Sequence, residues 1–294
     1  MNKLTIQNLS KIYPNGVKAL DNVSLEIKNG MFGLLGPNGA GKSSLMRTLA
    51  TLQEADSGIA MLNDIDIFKE PVELRKTLGY LPQEFGVYPQ ITAYQLLNHL
   101  AILKGVTKSS ERIELVSYLL NKVNLYDKRN KSVKEFSGGM KQRIGIAQAL
   151  IGNPNLIIVD EPTAGLDPSE RNRFYNLLAD VSEEVIVVLS THIVDDVREL
   201  CTRMAIMDLG KIVFHGSPQD AINELDGKVY QKLVTRNELQ DYESYYTIIS
   251  NKMVGGQPLI HVLSDESLNN GFELVKPNLE DVFFSNINNV NTIV

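Results

Sequence analysis

From the start of the chain to about residue 66, apolar and polar positions alternate. Leu4 and Ile6, then Val23, Leu25 and Ile27, recur at every second residue, the period of strands with one buried face. Asn29-Gly30 stands directly before the run MFGLLG and predicts a hairpin-type turn. From Ile91 to about Ile151 the period lengthens to that of a helix. Leu96, Leu97, Leu100 and Leu103 share one face, and Ile113, Val116, Leu119, Leu120 and Val123 share another, both predicted to be core. Continuous apolar runs then return in LIIVD, VIVVLS and MAIMDLG, with a helical stretch around Glu170 to Asp180 between the first two. Apolar strands alternating with helices predict a parallel sheet covered on both faces. Beyond Ser217 short strand and helix signals mix, and the Asn-rich end from Asn286 is expected to fray.

Where the first buried run ends, the chain reads GPNGAGKSS from Gly36 to Ser44 and satisfies the GxxxxGK[ST] pattern between a strand-like and a helix-like segment. Gly36, Gly39 and Gly41 let successive backbone N–H groups curl around phosphate oxygens, which Cβ atoms would obstruct. Pro37, Asn38 and Ala40 complete the loop. Lys42 then reaches the β- and γ-phosphates, the helix beginning near it turns its positive dipole end to the same anion, and the Ser43 hydroxyl takes a position on Mg²⁺, followed by Ser44. The segment predicts binding of a nucleoside triphosphate at the carboxyl edge of the sheet.

LIIVDE, from Leu156 to Glu161, ends a buried strand in two carboxylates, an expensive placement unless they face a site or a cation. Read alone, it is as well explained by acids capping a helix. With a phosphate loop on the same sheet edge, Asp160 is placed to hold Mg²⁺ through water and Glu161 to polarise an attacking water.

Composition narrows the setting. A net charge of −6 and a pI of about 5.4 argue against a nucleic-acid binder that relies on a strongly basic surface. Cys201 is the only cysteine, so no intramolecular disulfide forms and a reducing cytosolic setting is expected. The start MNKLTIQNLSKIY lacks the apolar core of a secretion signal, and the longest apolar runs fall well short of the roughly 20 residues that span a bilayer. The chain is expected not to cross a membrane by itself.

FSGGMKQRIGIAQAL, from Phe136, supplies a second helix start suited to an anion: Ser137 as N-cap, two glycines exposing N–H groups, and a helix predicted to be amphipathic through Met140, Ile144, Ala147 and Ile151. It resembles the LSGGQ signature of the ATP-binding-cassette ATPases, with phenylalanine in place of the family's leucine and methionine in place of its glutamine. The methionine is similar to the drug-exporter-type group. The motifs occur in family order over roughly Leu4 to Gly216, about three quarters of the chain.

That resemblance implies roles which the residues alone would not. Tyr13 would stack on adenine; Gln83 would contact Mg²⁺ and the attacking water; His192 would contact the γ-phosphate; Asp167 would belong to a loop crossing between subunits. Ser137, Gly138, Gly139 and Met140 would contact the ATP of a partner subunit. His99, His215 and His261 match nothing. The ending PNLEDVFF, from Pro277, is similar to an element closing many exporter-type subunits.

The implied fold is α/β: a P-loop ATPase core with a mainly parallel sheet, an antiparallel β subdomain and an inserted helical subdomain at about 85–152, all within residues 1–220, then a small α+β extension at 221–294. The implied function is hydrolysis of ATP with Mg²⁺ by a homodimer, paired head-to-tail around two ATP, that drives separate transmembrane permease subunits of an exporter from the cytoplasmic face of the membrane. A groove beside the Gln83 segment would receive helices from those subunits, and no nucleic acid is expected. The alternative is a soluble relative acting on ribosomes or DNA. The single phosphate loop and the absence of a very long coiled-coil insertion speak against it.

Overall fold

The alternating N-terminal segments form antiparallel strands. In the computed structural model of the chain, which describes residues 1–83, 86, 90–163 and 166–291 and side chains through 287, β1 (Lys3–Ile12) lies between β2 (Lys18–Lys28) and β4 (Ser57–Leu62), with β5 (Ile65–Asp66) beyond β4. Leu4, Ile6, Val23, Leu25 and Ile27 are all buried on the face this sheet turns to the core.

β3 (Gly30–Leu35) does not pair with β2. The Asn29-Gly30 hairpin is therefore corrected: Gly30, at φ +114°, turns the chain out of one sheet into another. The burial pattern gives the reason. β2 buries alternate residues, whereas every residue of β3 after Gly30 is buried, and a strand enclosed on both faces needs a sheet with layers on each side.

That second sheet runs in the order β10 (Lys211–Gly216), β9 (Arg203–Asp208), β3, β8 (Ile186–Thr191), β7 (Leu156–Asp160) and β6 (Leu78–Leu81). It is parallel from β9 to β6, with β10 as an antiparallel edge. Because side chains alternate across a strand, Leu35, Leu81, Ile157, Val159, Val187 and Leu189 enter a core on one face. Phe32, Leu34, Leu156, Ile158, Ile186 and Val188 enter a second core on the other face, shared with α1 (Lys42–Leu49) and the antiparallel strands.

After α2 (Pro71–Lys76) comes a helical region on the first face: α3 (Ala93–Leu103), α4 (Ser109–Lys122) and α5 (Gly138–Ala149). Thr92 and Gln95 start α3 with a reciprocal capping box. Leu96, Leu97, Val116, Leu119, Leu120 and Val123 are buried as expected. Leu103 (69% exposed), the last residue of α3, and Ile113 (49% exposed), in the second turn of α4, are not core. Nor is α5 amphipathic. It packs against β6, α3, α4 and α6 (Pro168–Ser182), and Ile144, Gly145, Ile146, Ala147 and Ala149 are buried around it.

Next come α7 (Val194–Leu200), α8 (Pro218–Glu224) and a third sheet, β12 (Thr247–Val254), β13 (Gln257–Leu263), β11 (Val229–Leu233) and β14 (Glu273–Leu274), with α9 (Leu239–Tyr245) beside it. The final helix, α10 (Leu279–Asn291), returns to the first core through Leu279, Val282 and Phe283. The helix runs to Asn291, and the Asn286 side chain donates to the Val282 carbonyl at 2.9 Å; the rest of the Asn-rich end expected to fray lies outside the described residues. His261, which matches no motif, meets the buried Asp281 at 2.7 Å and ties β13 to α10. Among the described residues no helix is long and apolar enough to cross a membrane.

Candidate active site

Five adjacent parallel strands end on one edge, and the candidate residues follow four of those ends. Gly36 follows β3, Gln83 follows β6, Asp160 closes β7 with Glu161 next, and His192 follows β8. Parallel strands present all their carboxyl ends on the same side, so residues far apart in sequence converge there. The cavity at that edge measures about 820 Å³. It includes Tyr13, Asn38, Gly39, Gly41, Lys42, Ser43, Ser44, Gln83, Glu161 and His192. Val17, Lys18, Ala19 and Leu209 also line it and carry no motif by which the sequence would reveal them.

The phosphate loop is shaped by its glycines. Gly39 and Gly41 have φ of +84° and +106°, and a Cβ at Gly41 would press on the Ala19 carbonyl oxygen. A Cβ at Gly36 would press on the Met207 carbonyl oxygen. Ala40 N–H donates to the Pro37 carbonyl at 3.2 Å, closing the loop. The buried Lys42 ammonium donates to the carbonyls of Gly36 (2.8 Å) and Pro37 (3.1 Å). Burial lowers its pKa, while Glu161 and, less strongly, Asp160 hold it up. Tyr13 is fixed beside the loop, its hydroxyl 3.0 Å from the Ser44 hydroxyl and donating to Gln53 at 3.1 Å.

Ser43 donates to the Asp160 carboxylate at 3.3 Å, and Ser190 donates to the same oxygen. A hydroxyl and a carboxylate side by side are hard oxygen donors of the kind Mg²⁺ takes, set next to a phosphate cradle, so these residues fit that ion. Glu161 is the centre of the remaining contacts. Lys42 Nζ lies 3.6 Å and His192 Nδ1 3.3 Å from its Oε1, and Gln83 donates to its Oε2 at 3.3 Å. Its backbone adopts φ +46°, unusual for a residue with a side chain, and is held by donation of its N–H to the Ser190 carbonyl at 3.0 Å.

Ser137 caps α5 as expected, accepting from Met140 N–H at 3.3 Å. Asp167 caps α6, accepting from Glu170 N–H at 2.9 Å. Neither Asp167 nor Ser137, Gly138, Gly139 and Met140 lines the Lys42 cavity among the described residues. Two expected features fall partly outside those residues: the groove beside Gln83, at 84, 85 and 87–89, and the loop before Asp167, at 164 and 165. Motif reading missed the buried Asp196, which accepts from Thr163, Thr191 and Tyr175.

The ABC transporter family matches residues 20–164. "Methionine import ATP-binding protein MetN 1" of Bacillus thuringiensis subsp. konkukian is 35% identical over 266 residues, 86% of this chain and 77% of its own. "Linearmycin resistance ATP-binding protein LnrL" of Bacillus subtilis is 35% identical over 227 residues, 76% of this chain and 72% of its own. "Daunorubicin/doxorubicin resistance ATP-binding protein DrrA" of Streptomyces peucetius is 34% identical, covering 75% and 67%. The structure is similar to the dimeric post-hydrolysis state of the ATP-binding cassette MJ0796 bound to ADP and Pi, with TM-score 0.67 and 28% identity over 73% of this chain and 98% of that one. Similarity of this extent along both partners of each comparison establishes descent: the chain belongs to the ABC transporter family and is one of its ATP-binding ATPases.

Proposed function

We propose that this chain, acting with Mg²⁺ as a head-to-tail homodimer, hydrolyses ATP to drive separate membrane-spanning subunits of an exporter from the cytoplasmic face. The observation carrying the catalytic reading is the convergence of Lys42, Gln83 and His192 on the Glu161 carboxylate. Glu161 takes the proton of the attacking water, held in aim by Gln83 and His192. Gly36 to Ser44 cradle the phosphates, Lys42 offsets charge on the β- and γ-phosphates, and Tyr13 stacks on adenine. Ser43 and Asp160, with Gln83, would hold Mg²⁺, which when bound screens phosphate charge. Ser137, Gly138, Gly139 and Met140 stand away from the chain's own cavity, which suits contact with the ATP of a second copy, with Asp167 crossing alongside.

Glu161→Gln is expected to keep ATP affinity while lowering turnover by about 10²-fold or more, and to accumulate an ATP-bound dimer on gel filtration. Wild-type turnover in that variant would remove Glu161 from the role.

We take the nucleotide-binding unit as residues 1–220, including a helical insertion at about 85–152, with an extension at 221–294. A groove of about 340 Å³ between core and helical region is lined by Leu52, Tyr80, Leu100 and Leu103, and it suits an apolar helix of a membrane subunit. Export is favoured by Met140 in the signature, by the PNLEDVFF ending, and by the resistance proteins among the relatives. Import is the second reading, favoured by the longer alignment to the methionine-import proteins. The test is to purify Glu161→Gln with ATP and Mg²⁺ from detergent-solubilised membranes and identify the membrane protein retained. ATP-driven uptake of its substrate into inside-out vesicles carrying the wild-type pair means export; loss of preloaded substrate means import.

A further inference from the structure

Asp196, on α7, has no exposed surface. One carboxylate oxygen accepts from Thr163 at 2.7 Å and from Thr191 at 2.8 Å, and the other accepts from the Tyr175 hydroxyl. Among the described residues it takes part in no ion pair, so hydroxyl donors alone satisfy a buried acid. An unpaired acid would be costly there, and the three donors come from three different places: the turn after β7, the end of β8 and α6.

Where those donors sit gives the cluster its meaning. Thr163 lies two residues beyond Glu161, on the stretch that continues towards Asp167. Thr191 directly precedes His192, and its hydroxyl also accepts from Ile193 N–H at 2.9 Å. The relay from Ile193 N–H through Thr191 to Asp196 therefore grips His192 from both sides. Tyr175 is on α6, the helix that Asp167 caps. Burial and the Asp196 carboxylate both raise the Tyr175 pKa, which keeps its hydroxyl a donor.

We propose that Asp196 is a positioning residue for hydrolysis, locking the Glu161 segment and the His192 segment in register through Thr163 and Thr191. It touches no reacting atom. Its effect falls on turnover, because it sets the spacing of Glu161 and His192, while the loop that grips the triphosphate is built on β3 and α1 without it. The proposal rests on the catalytic reading of Glu161 given above.

The test compares the full-length wild type with Thr163→Val, Thr191→Val, Asp196→Ala and Glu161→Gln, measuring kcat, KM for MgATP, binding of a fluorescent ATP analogue and Tm. Thr→Val keeps shape: Thr163→Val removes one donor to Asp196, and Thr191→Val removes a donor to Asp196 together with the acceptor of Ile193 N–H, so these two variants decide the matter even if Asp196→Ala fails to fold. We expect Thr191→Val and Thr163→Val to lower kcat by about tenfold or more while KM and analogue affinity stay within about twofold, since small misplacements of reacting groups are felt in the chemical step. Folded Thr variants with wild-type kcat, or with losses confined to nucleotide affinity, overturn the proposal. Glu161→Gln separates the two possible failures. If it is inactive while the Thr variants are normal, only the Asp196 proposal falls; if it too turns over normally, the reading of Glu161 falls first.

Discussion

A glycine and a glutamate show how single residues are held in conformations that the site requires. Gly41, at φ +106°, faces the Ala19 carbonyl, whereas Gly39, at φ +84°, faces open space. Gly41→Ala therefore meets both strain and collision and is expected to cost more than about 1 kcal/mol in stability and most of the ATP affinity. Gly39→Ala meets strain alone and is expected to be milder; equal losses of analogue binding in the two variants would contradict the geometry. Glu161 accepts its own left-handed backbone without a glycine's freedom, and its carboxylate gathers Lys42, Gln83 and His192 in return. Burial also acts on groups outside the chemistry. The Cys201 thiol and the Tyr175 hydroxyl are both pushed up, so above the ordinary values of about 8.5 and about 10 the unfolded chain has released protons that the folded chain keeps. Unfolding then releases protons, and stability falls with rising pH by about 1.4 kcal/mol per unit for each group past its unfolded value. A urea-denaturation series from pH 8 to 10.5 should show this slope, and Cys201→Ala should flatten its first part.

At the scale of elements, the carboxyl ends of β3, β6, β7 and β8 bring the site together, and this was largely legible in the sequence. LIIVD and VIVVLS are apolar at every position before the last, as suits a strand covered on both faces, and the motif residues stand at the ends of those runs. The failures are also physical. Asn29-Gly30 has hairpin chemistry, yet burial of β3 on both faces draws it away from β2. The signature helix was given one apolar face, but its small residues Gly145, Ala147 and Ala149 admit neighbours on several sides. Asp196 was invisible because an acid in the first turn of a helix reads as a dipole partner; only the fold brings Thr163 and Tyr175 to it. Capping gives a measurable consequence at this scale. Asp167→Ala should cost about 1 kcal/mol by loss of the α6 cap, and Asp167→Asn should recover most of it in urea denaturation. Equal stability of the two variants would mean that the cap contributes nothing.

Across the whole molecule, the central sheet separates two cores, one shared with the antiparallel strands and one with the helical region. The core shared with the helical region is not finished by the nucleotide-binding motifs, since Leu279, Val282 and Phe283 of α10 belong to it. Phe283 is 6% exposed, and Phe283→Ala should cost about 3–5 kcal/mol, lowering Tm even though the residue lies far along the chain from every ATP motif. A Tm within a degree or so of wild type would show that α10 is merely appended. The same packing bears on how the protein is made. Met31 and Phe283 share one core, so a ribosome must deliver the chain through Phe283 before that interior can close. Until then the growing chain lacks the α10 side chains that cover this core, and a message cut short before α10 leaves that face open to chaperones and proteases.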